Sequence, residues 1–254
     1  MEARVRLPPG HRLVHFREID STNAEALRRA GDGERGPLWL WAEHQTRGRG
    51  RLGRSWTSEG GNLYATFLTT TPSASRASGL SVFLSLAVLD TLKAYLPSAA
   101  SLSLKWPNDV LIAGKKAAGI LVESTMQGDL MILAIGCGLN LASAPSATRY
   151  GATALADHAH AVPPAIVLET LAHEMNELLK LWNRGAGFAP LRDLWLRHAE
   201  GLGEPMSIAA AGGRVQGLFE GLGDDGSLLL RNDKGLQAFH TGDVSLADFP
   251  GRTA

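Results

Sequence analysis

Polar and apolar positions alternate over residues 12–19 (RLVHFREI), which predicts a strand. The next six residues, Asp20-Ser21-Thr22-Asn23-Ala24-Glu25, read as a capping box with Thr22 as N-cap and Glu25 three positions on, opening a helix that runs to Ala30. Residues 38–44 (LWLWAEH) and 62–68 (NLYATFL) read as strands on either side of a loop rich in glycine and arginine. From Ser78 to Leu96, Leu80, Phe83, Leu84, Ala87, Val88, Leu92 and Tyr95 recur at helical spacing. Segments 101–106 (SLSLKW), 117–124 (AAGILVES) and 130–141 (LMILAIGCGLNL) predict further strands. A long helix is expected over 164–182, with Pro164 in its first turn and Val167, Leu171, Met175, Leu178, Leu179 and Trp182 as its apolar stripe.

The texture changes near residues 201–204. Short alternating strands follow, punctuated by turn signals at Gly212-Gly213, Asp225-Gly226 and Lys234-Gly235. This pattern predicts a small β-barrel of about 50 residues after a larger α+β domain, a division into 1–200 and 201–254.

Composition narrows the picture. With 44% apolar and 20% charged residues the chain is of globular type. Lys+Arg balances Asp+Glu at 25 each, so no global field draws DNA or an anionic membrane. The lone cysteine, Cys137, excludes an internal disulfide and multi-cysteine metal sites, and its apolar surroundings predict burial. The eight histidines suggest no metal site. The N-terminal segment lacks an apolar signal region and no stretch approaches the ~20 residues of a membrane span, so a cytoplasmic protein is expected.

Against that neutral background the loop TRGRGRLGRSW (46–56) stands out. Gly48, Gly50 and Gly53 satisfy the G-x-G-x-x-G pattern, but a dinucleotide site needs a helix to begin at the glycines, and here a strand follows instead. Four arginines (47, 49, 51 and 54) confined to one loop suit a compact phosphate or carboxylate better than a nucleic-acid face. KWPND (105–109) ends a strand in a turn and places Lys105 and Asp109 at a sheet rim. In GKKAAGILVES (114–124), strict alternation puts Lys116 on the face of Ala118, Ile120 and Val122 and Lys115 on the other. A lysine on an apolar face calls for an anion. In GCGLN (136–140) two glycines open a strand to a ligand and Asn140 offers a donor and an acceptor.

Taken in this order, DSTN (20–23), QTRGRGRLGRSW (45–56), KWPND, GKKAAGILVE and GCGLN resemble the biotin protein ligases, as does a C-terminal segment ending in FHTGDVSL (239–246). The likeness spans nearly the whole chain; Leu52 and Cys137 depart from it, standing where a basic and a β-branched residue are common. The resemblance implies a catalytic domain like that of class II aminoacyl-tRNA synthetases, a mixed β-sheet with flanking helices, and an SH3-like C-terminal barrel. It implies that biotin is activated by ATP with Mg²⁺ as biotinyl-5′-AMP and passed to a lysine of a biotin carboxyl carrier protein. On this likeness Ser21, Thr22, Asn23, Gln45, Gly48 and Gly119 hold biotin, with Arg49, Arg51 and Lys116 at its carboxyl group. Arg49, Arg51, Arg54, Trp56, Lys105, Asn108 and Asn140 fall on the ATP side, and Lys116, Arg51 and Asp109 are the catalytic candidates. Asp109 either binds Mg²⁺ or orients the incoming amine, and Thr22 is either a biotin ligand or only a cap.

The resemblance leaves a homodimer open. DSTN at residue 20 leaves no room before it for a helix-turn-helix module, so no DNA binding is expected. The alternatives are a lipoate or octanoate ligase or transferase of the same fold, and a non-catalytic binder of biotin or its adenylate.

Overall fold

The structure, a computed structural model, describes residues 5–72, 79–146, 151–210 and 213–246. Strands β1 (Arg12–Ile19) and β2 (Leu38–Gln45) flank helix α1 (Thr22–Gly31), and β3 (Leu63–Pro72) leads to α2 (Leu80–Lys93). Then come β4 (Leu102–Lys105), β5 (Asp109–Ile112), β6 (Lys115–Gln127) and β7 (Leu130–Leu139). These strands form one mixed sheet in the order β1-β2-β3-β7-β6-β5-β4, in which only the β1–β2 pair is parallel. Helices α3 (Pro164–Trp182) and α4 (Phe188–Leu196) precede the C-terminal strands.

The two faces of the sheet are covered differently. On one face Trp39, Phe67, Ile120, Ile135 and Leu139 pack with Phe83 and Leu84 of α2 and Leu171 and Met175 of α3 in a continuous dry core. On the other, α1 lies over Leu38, Leu40, Leu68, Ile132 and Ala134 at the β1–β2–β3–β7 half alone. Further along the second face, β7 carries Gly136 and Gly138 in place of apolar side chains. That half of the sheet holds the cleft described below.

Most elements lie where the hydrophobic pattern puts them; the departures have local causes. The cap of α1 is Ser21, not Thr22: Ser21 Oγ accepts from Ala24 N at 3.4 Å, while the Thr22 hydroxyl turns inward to Gln45 and Thr66. Glu25 pairs with Arg28 and Arg29. The helix expected over 78–96 begins after Gly79 (φ 71°) and ends at Lys93, with Ser78 outside the described residues. Strand β5 starts at Asp109, the last residue of KWPND; it is too short to show a period and joins β6 by Ala113-Gly114 with both φ positive (50° and 74°), a hairpin turn of the primed type. Helix α4, nine residues long, carries too few turns to announce itself.

The C-terminal strands β8 (Pro205–Ala210), β9 (Gly213–Leu222), β10 (Leu228–Asn232), β11 (Gly235–Phe239) and β12 (Asp243–Ser245) form an antiparallel sheet in the order β11-β10-β9-β8-β12. The turns at Asp225-Gly226 and Lys234-Gly235 join strands as expected, whereas Gly212 lies outside the described residues, as does 247–254. Their apolar residues Met206, Ile208, Phe219, Leu230 and Val244 belong to the same core as α2 and α3. The approach is close: a Cβ on Gly79 would sit 2.5 Å from the Asp225 carbonyl oxygen. The connecting chain also caps the free edge of β4, with Leu104 N to His198 O at 2.7 Å and Glu200 N to Leu104 O at 2.9 Å.

Candidate active site

A cleft of about 450 Å³ opens on the second face, floored by β6 and β7, with α1, the glycine–arginine loop, the KWPND turn and β12 around its rim. Ser21, Thr22, Asn23, Gln45, Arg49, Arg51, Arg54, Trp56, Lys105, Asn108, Asp109, Lys116, Gly119 and Asn140 all line it. Gly48 does not. Its carbonyl accepts from Trp56 N at 2.9 Å, and a Cβ there would lie 2.4 Å from the Trp56 oxygen, so this glycine lets the loop close on itself.

At one end of the cleft hydrogen-bonding groups converge on small polar side chains. Thr22 N donates to Gln45 Oε1 at 2.8 Å, and the Thr22 and Thr66 hydroxyls lie 2.8 Å apart. Thr66, fully buried on β3, also donates to Asn23 Oδ1 at 2.6 Å. Thr66 lies outside every motif, and only its parity with Tyr64 and Leu68 on β3 marks it as facing α1.

At the other end the cations gather. Lys116 Nζ pairs with Asp109 Oδ1 at 2.6 Å and lies 5.3 Å from the Trp56 ring centre. Its face is opposite to the one strict alternation gives. Leu111 pairs with Lys116 but Val110 pairs with Ala118, so Ala117 is an extra residue, a β-bulge, and parity flips. Ala118 and Ile120 therefore face the dry core, while Lys116 shares the cleft side with Gly119, where a Cβ would meet Lys116 Nζ at 3.3 Å. Lys115 is exposed and turned the other way. The lysine is held by a carboxylate and not stranded on an apolar surface.

The loop is a small hairpin, bridged at Arg49–Ser55 and turning through Leu52 and Gly53 with φ of 54° and 73°. It folds over the cleft. Arg49 pairs with Glu123 at 2.7 Å, Arg54 with Asp243 of β12 at 2.6 Å, and Arg51 reaches Asn108 Oδ1 (3.3 Å) and Thr241 Oγ1 (3.4 Å). A closed loop thus draws on the protein's own acceptors. Burial lowers the pKa of Arg51; Asp109 and Asp243 oppose that shift and Arg54 adds to it. Arginine stays charged in proteins, so the shift expresses an unmet demand for negative charge.

The glycines of β7 make room for side chains of the protein itself. A Cβ at Gly136 would fall 2.2 Å from Asn23 Oδ1, and one at Gly138 2.5 Å from the Trp56 indole. Trp56 Nε1 is buried without a partner beside that floor. Asn140 lines the cleft, but its amide donates to the Thr153 and Lys116 carbonyls at 3.2 and 3.4 Å, which fastens the strand end. Cys137 is buried in the core face, and its surroundings push the thiol up to about 12. KWPND is anchored on the C-terminal unit, Trp106 Nε1 donating to Gly226 O at 2.9 Å. Among the described residues no three His, Cys, Asp or Glu side chains converge as a metal-binding group, and no helix is long and apolar enough to cross a membrane.

Residues 17–140 match the biotin/lipoate A/B protein ligase family and residues 201–247 the biotin protein ligase C-terminal domain. The biotin–[acetyl-CoA-carboxylase] ligase of Paracoccus denitrificans is 41% identical over 236 residues, covering 89% of this chain and 96% of that protein. The bifunctional ligase/repressor BirA of Escherichia coli is 31% identical, over 90% of this chain and 72% of its own length. Among solved structures, the Aquifex aeolicus biotin protein ligase in complex with biotin and ATP superposes with a TM-score of 0.77 at 29% identity, covering 92% and 97% of the two chains. A cleft with hydrogen-bonding groups at one end and clustered cations at the other, on a fold and sequence shared along almost the whole length, leads to one conclusion: the chain belongs to the biotin protein ligases.

Proposed function

We propose that this chain joins biotin and ATP into biotinyl-5′-AMP and pyrophosphate, and then transfers the biotinyl group to a lysine of a biotin carboxyl carrier protein. The carrying observation is the polarity of the cleft: Thr22 and Gln45 at one end suit a ureido ring, and Lys116, Arg49, Arg51 and Arg54 at the other suit a carboxylate meeting a phosphate.

In the first step a biotin carboxylate oxygen attacks the α-phosphorus, and the bond to the β-phosphate breaks. Two anions must approach, and the charge grows on the phosphorus oxygens; Lys116 and Arg51 lower that barrier by Coulomb attraction in a partly desolvated site. The 2.6 Å Asp109 pairing holds Lys116 at the rim until a ligand oxygen competes for it. In the second step the carrier lysine's neutral amine attacks the acyl carbon, the bond from that carbon to the AMP oxygen breaks, AMP departs, and the amine's proton passes to solvent. In this step Asp109, at the cleft rim, would orient that amine. Trp56 offers the adenine a flat apolar surface, with Lys105 and Asn108 beside the phosphates. Asp109 would hold Mg²⁺ arriving with ATP, and the ion would supply positive charge against the phosphates.

ATP as substrate fits a cytoplasmic site of action. The functional division falls at residues 200–201, the catalytic unit being completed by Asp243 and Thr241 from the C-terminal one. Biotin-dependent exchange of labelled pyrophosphate into ATP, followed by labelling of a carrier domain, tests the reading. Exchange that requires lipoate or octanoate instead of biotin, or no exchange with any of the three acids, would overturn it.

A further inference from the structure

Glu123 lies on β6, four residues beyond Gly119, and faces the cleft side. Its two oxygens are divided. Oε2 accepts from Asn23 Nδ2 at 2.9 Å, and Oε1 pairs with the Arg49 guanidinium at 2.7 Å. Both partners are donors, and a carboxylate is the side chain of this size that accepts on both ends. From Asn23 the bonding continues through Thr66 (2.6 Å) to Thr22 (2.8 Å), then from Thr22 N to Gln45 (2.8 Å), and from Gln45 Nε2 to Ser58 Oγ at 3.4 Å. Ser58 follows Trp56 at the far foot of the loop. The chain of contacts therefore starts on Arg49 at one foot of the loop, crosses the ureido end of the cleft, and returns to the other foot. Glu123 is its carboxylate and is mostly buried, its side chain 21% exposed.

We propose that Glu123 is a positioning residue: acting through Asn23 it orients the groups that receive biotin's ring, and acting through Arg49 it holds the loop over the adenylate. The proposal rests on the ligase reading above and extends it to a residue that touches neither substrate. One carboxylate then sets both biotin affinity and adenylate retention; of the ATP-side groups it bears on Arg49 alone and has no contact with Trp56, Lys105 or Asn108. The isosteric Glu123→Gln separates this from a role in folding, because a glutamine keeps the shape but must present its amide to one of two donors.

The experiment compares wild type, Glu123→Gln, Glu123→Asp, Arg49→Met and the double variant in pyrophosphate exchange, biotin titration and release of labelled biotinyl-5′-AMP. Glu123→Gln is expected to raise the biotin KM and the release rate about tenfold each, as loss of a charge-assisted hydrogen bond does, with the ATP KM changed less than the biotin KM and Tm near wild type. Glu123→Asp should recover part of both. In the Arg49→Met background, Glu123→Gln should no longer change release but should still raise the biotin KM. Equal increases in both KM values with a lowered Tm would reduce Glu123 to a structural role, and unchanged biotin KM and release would make it a surface ion pair; either result overturns the proposal. A wild type that neither binds biotin nor exchanges pyrophosphate overturns the ligase reading and this proposal together, whereas normal wild-type activity with an indifferent Glu123→Gln overturns this proposal alone.

Discussion

The two faces of the seven-stranded sheet share their strands and differ in what covers them. Along β7, odd positions Leu133, Ile135, Cys137 and Leu139 enter the dry core, while even positions run Ile132, Ala134, Gly136, Gly138. The even series loses bulk as it passes under the first turn of α1 and beyond it. Where side chains shrink to hydrogen, Asn23 and the Trp56 indole occupy the volume, and a cleft remains between them. A single strand thus carries a stability program on one parity and a binding program on the other, and each can be disturbed separately.

The sharpest contrast lies three residues apart. Ile135→Ala removes a fully buried side chain and should cost about 2–5 kcal/mol, lowering Tm by about 2–4 °C for each kcal/mol in a chain of this size. Gly138→Ala adds a methyl group 2.5 Å from Trp56, on the cleft side. It should shift the indole and weaken ATP by about five- to tenfold, the worth of roughly 1 kcal/mol of aromatic packing, with Tm nearly unchanged. Thermal melts paired with ATP titration decide this. If both variants lower Tm alike, the two faces are not separable.

Lys116→Ala should reduce pyrophosphate exchange on the order of a hundredfold or more, the effect of removing one preorganised charge donor, whereas Lys115→Ala should stay near wild type. Equal losses at 115 and 116 would show that both lysines reach the cleft and that the bulge at Ala117 does not sort them.

That bulge marks where the sequence stops being legible. Most long strands and helices follow from period, and the cleft residues from the motifs, because each depends on neighbours a few positions away. Parity across an extra residue does not: whether Lys116 sides with Ala118 or with Gly119 is decided by pairing with β5, a strand of four residues with no visible period. Nor do pairings distant in sequence announce themselves. Arg54 and Asp243 are 189 residues apart, and Arg49 meets Glu123, the last residue of GKKAAGILVE, 74 positions on, a pairing that neither motif foretells. Charge composition fixes how many such pairs can form and leaves open which do.

Those loop pairings make the next test one of partition. Arg51→Gly removes a half-buried guanidinium that bonds Asn108 and Thr241 and faces the cleft. Charged hydrogen bonds are worth about 1.5–3 kcal/mol, so release of biotinyl-5′-AMP should accelerate roughly ten- to a hundredfold. The freed acyl phosphate should then label lysines of a bystander such as albumin in the absence of a carrier, while Arg49–Glu123 and Arg54–Asp243 keep adenylate synthesis partly intact. Unchanged bystander labelling with adenylate still being made would assign the retention to those two pairs.

The smallest effect concerns pH, and it too separates the faces. Asp20, first residue of DSTN, accepts both terminal nitrogens of Arg28 at 2.9 and 2.8 Å, and also Ser21 N at 2.7 Å. The Arg28 hydrogen bonds, helped by that of Ser21 N, hold its carboxyl at about 2 against the opposing effect of burial. A carboxyl whose pKa is depressed by folding stabilises the folded state above its unfolded value, near 4, and loses that contribution as pH falls toward 2. The side chain is 38% exposed, so solvent screening keeps the pair to about 0.2–1 kcal/mol. Asp20→Asn should therefore melt slightly below wild type at pH 7, and the gap should close between pH ~4 and ~2. Ile135→Ala contains no titrating group, so its gap should persist through the same window. Melts of the three proteins across that range provide the check. An Asp20→Asn gap that stays constant with pH would mean that the asparagine disturbs the start of α1 sterically and that the ion pair contributes nothing to holding the cleft wall.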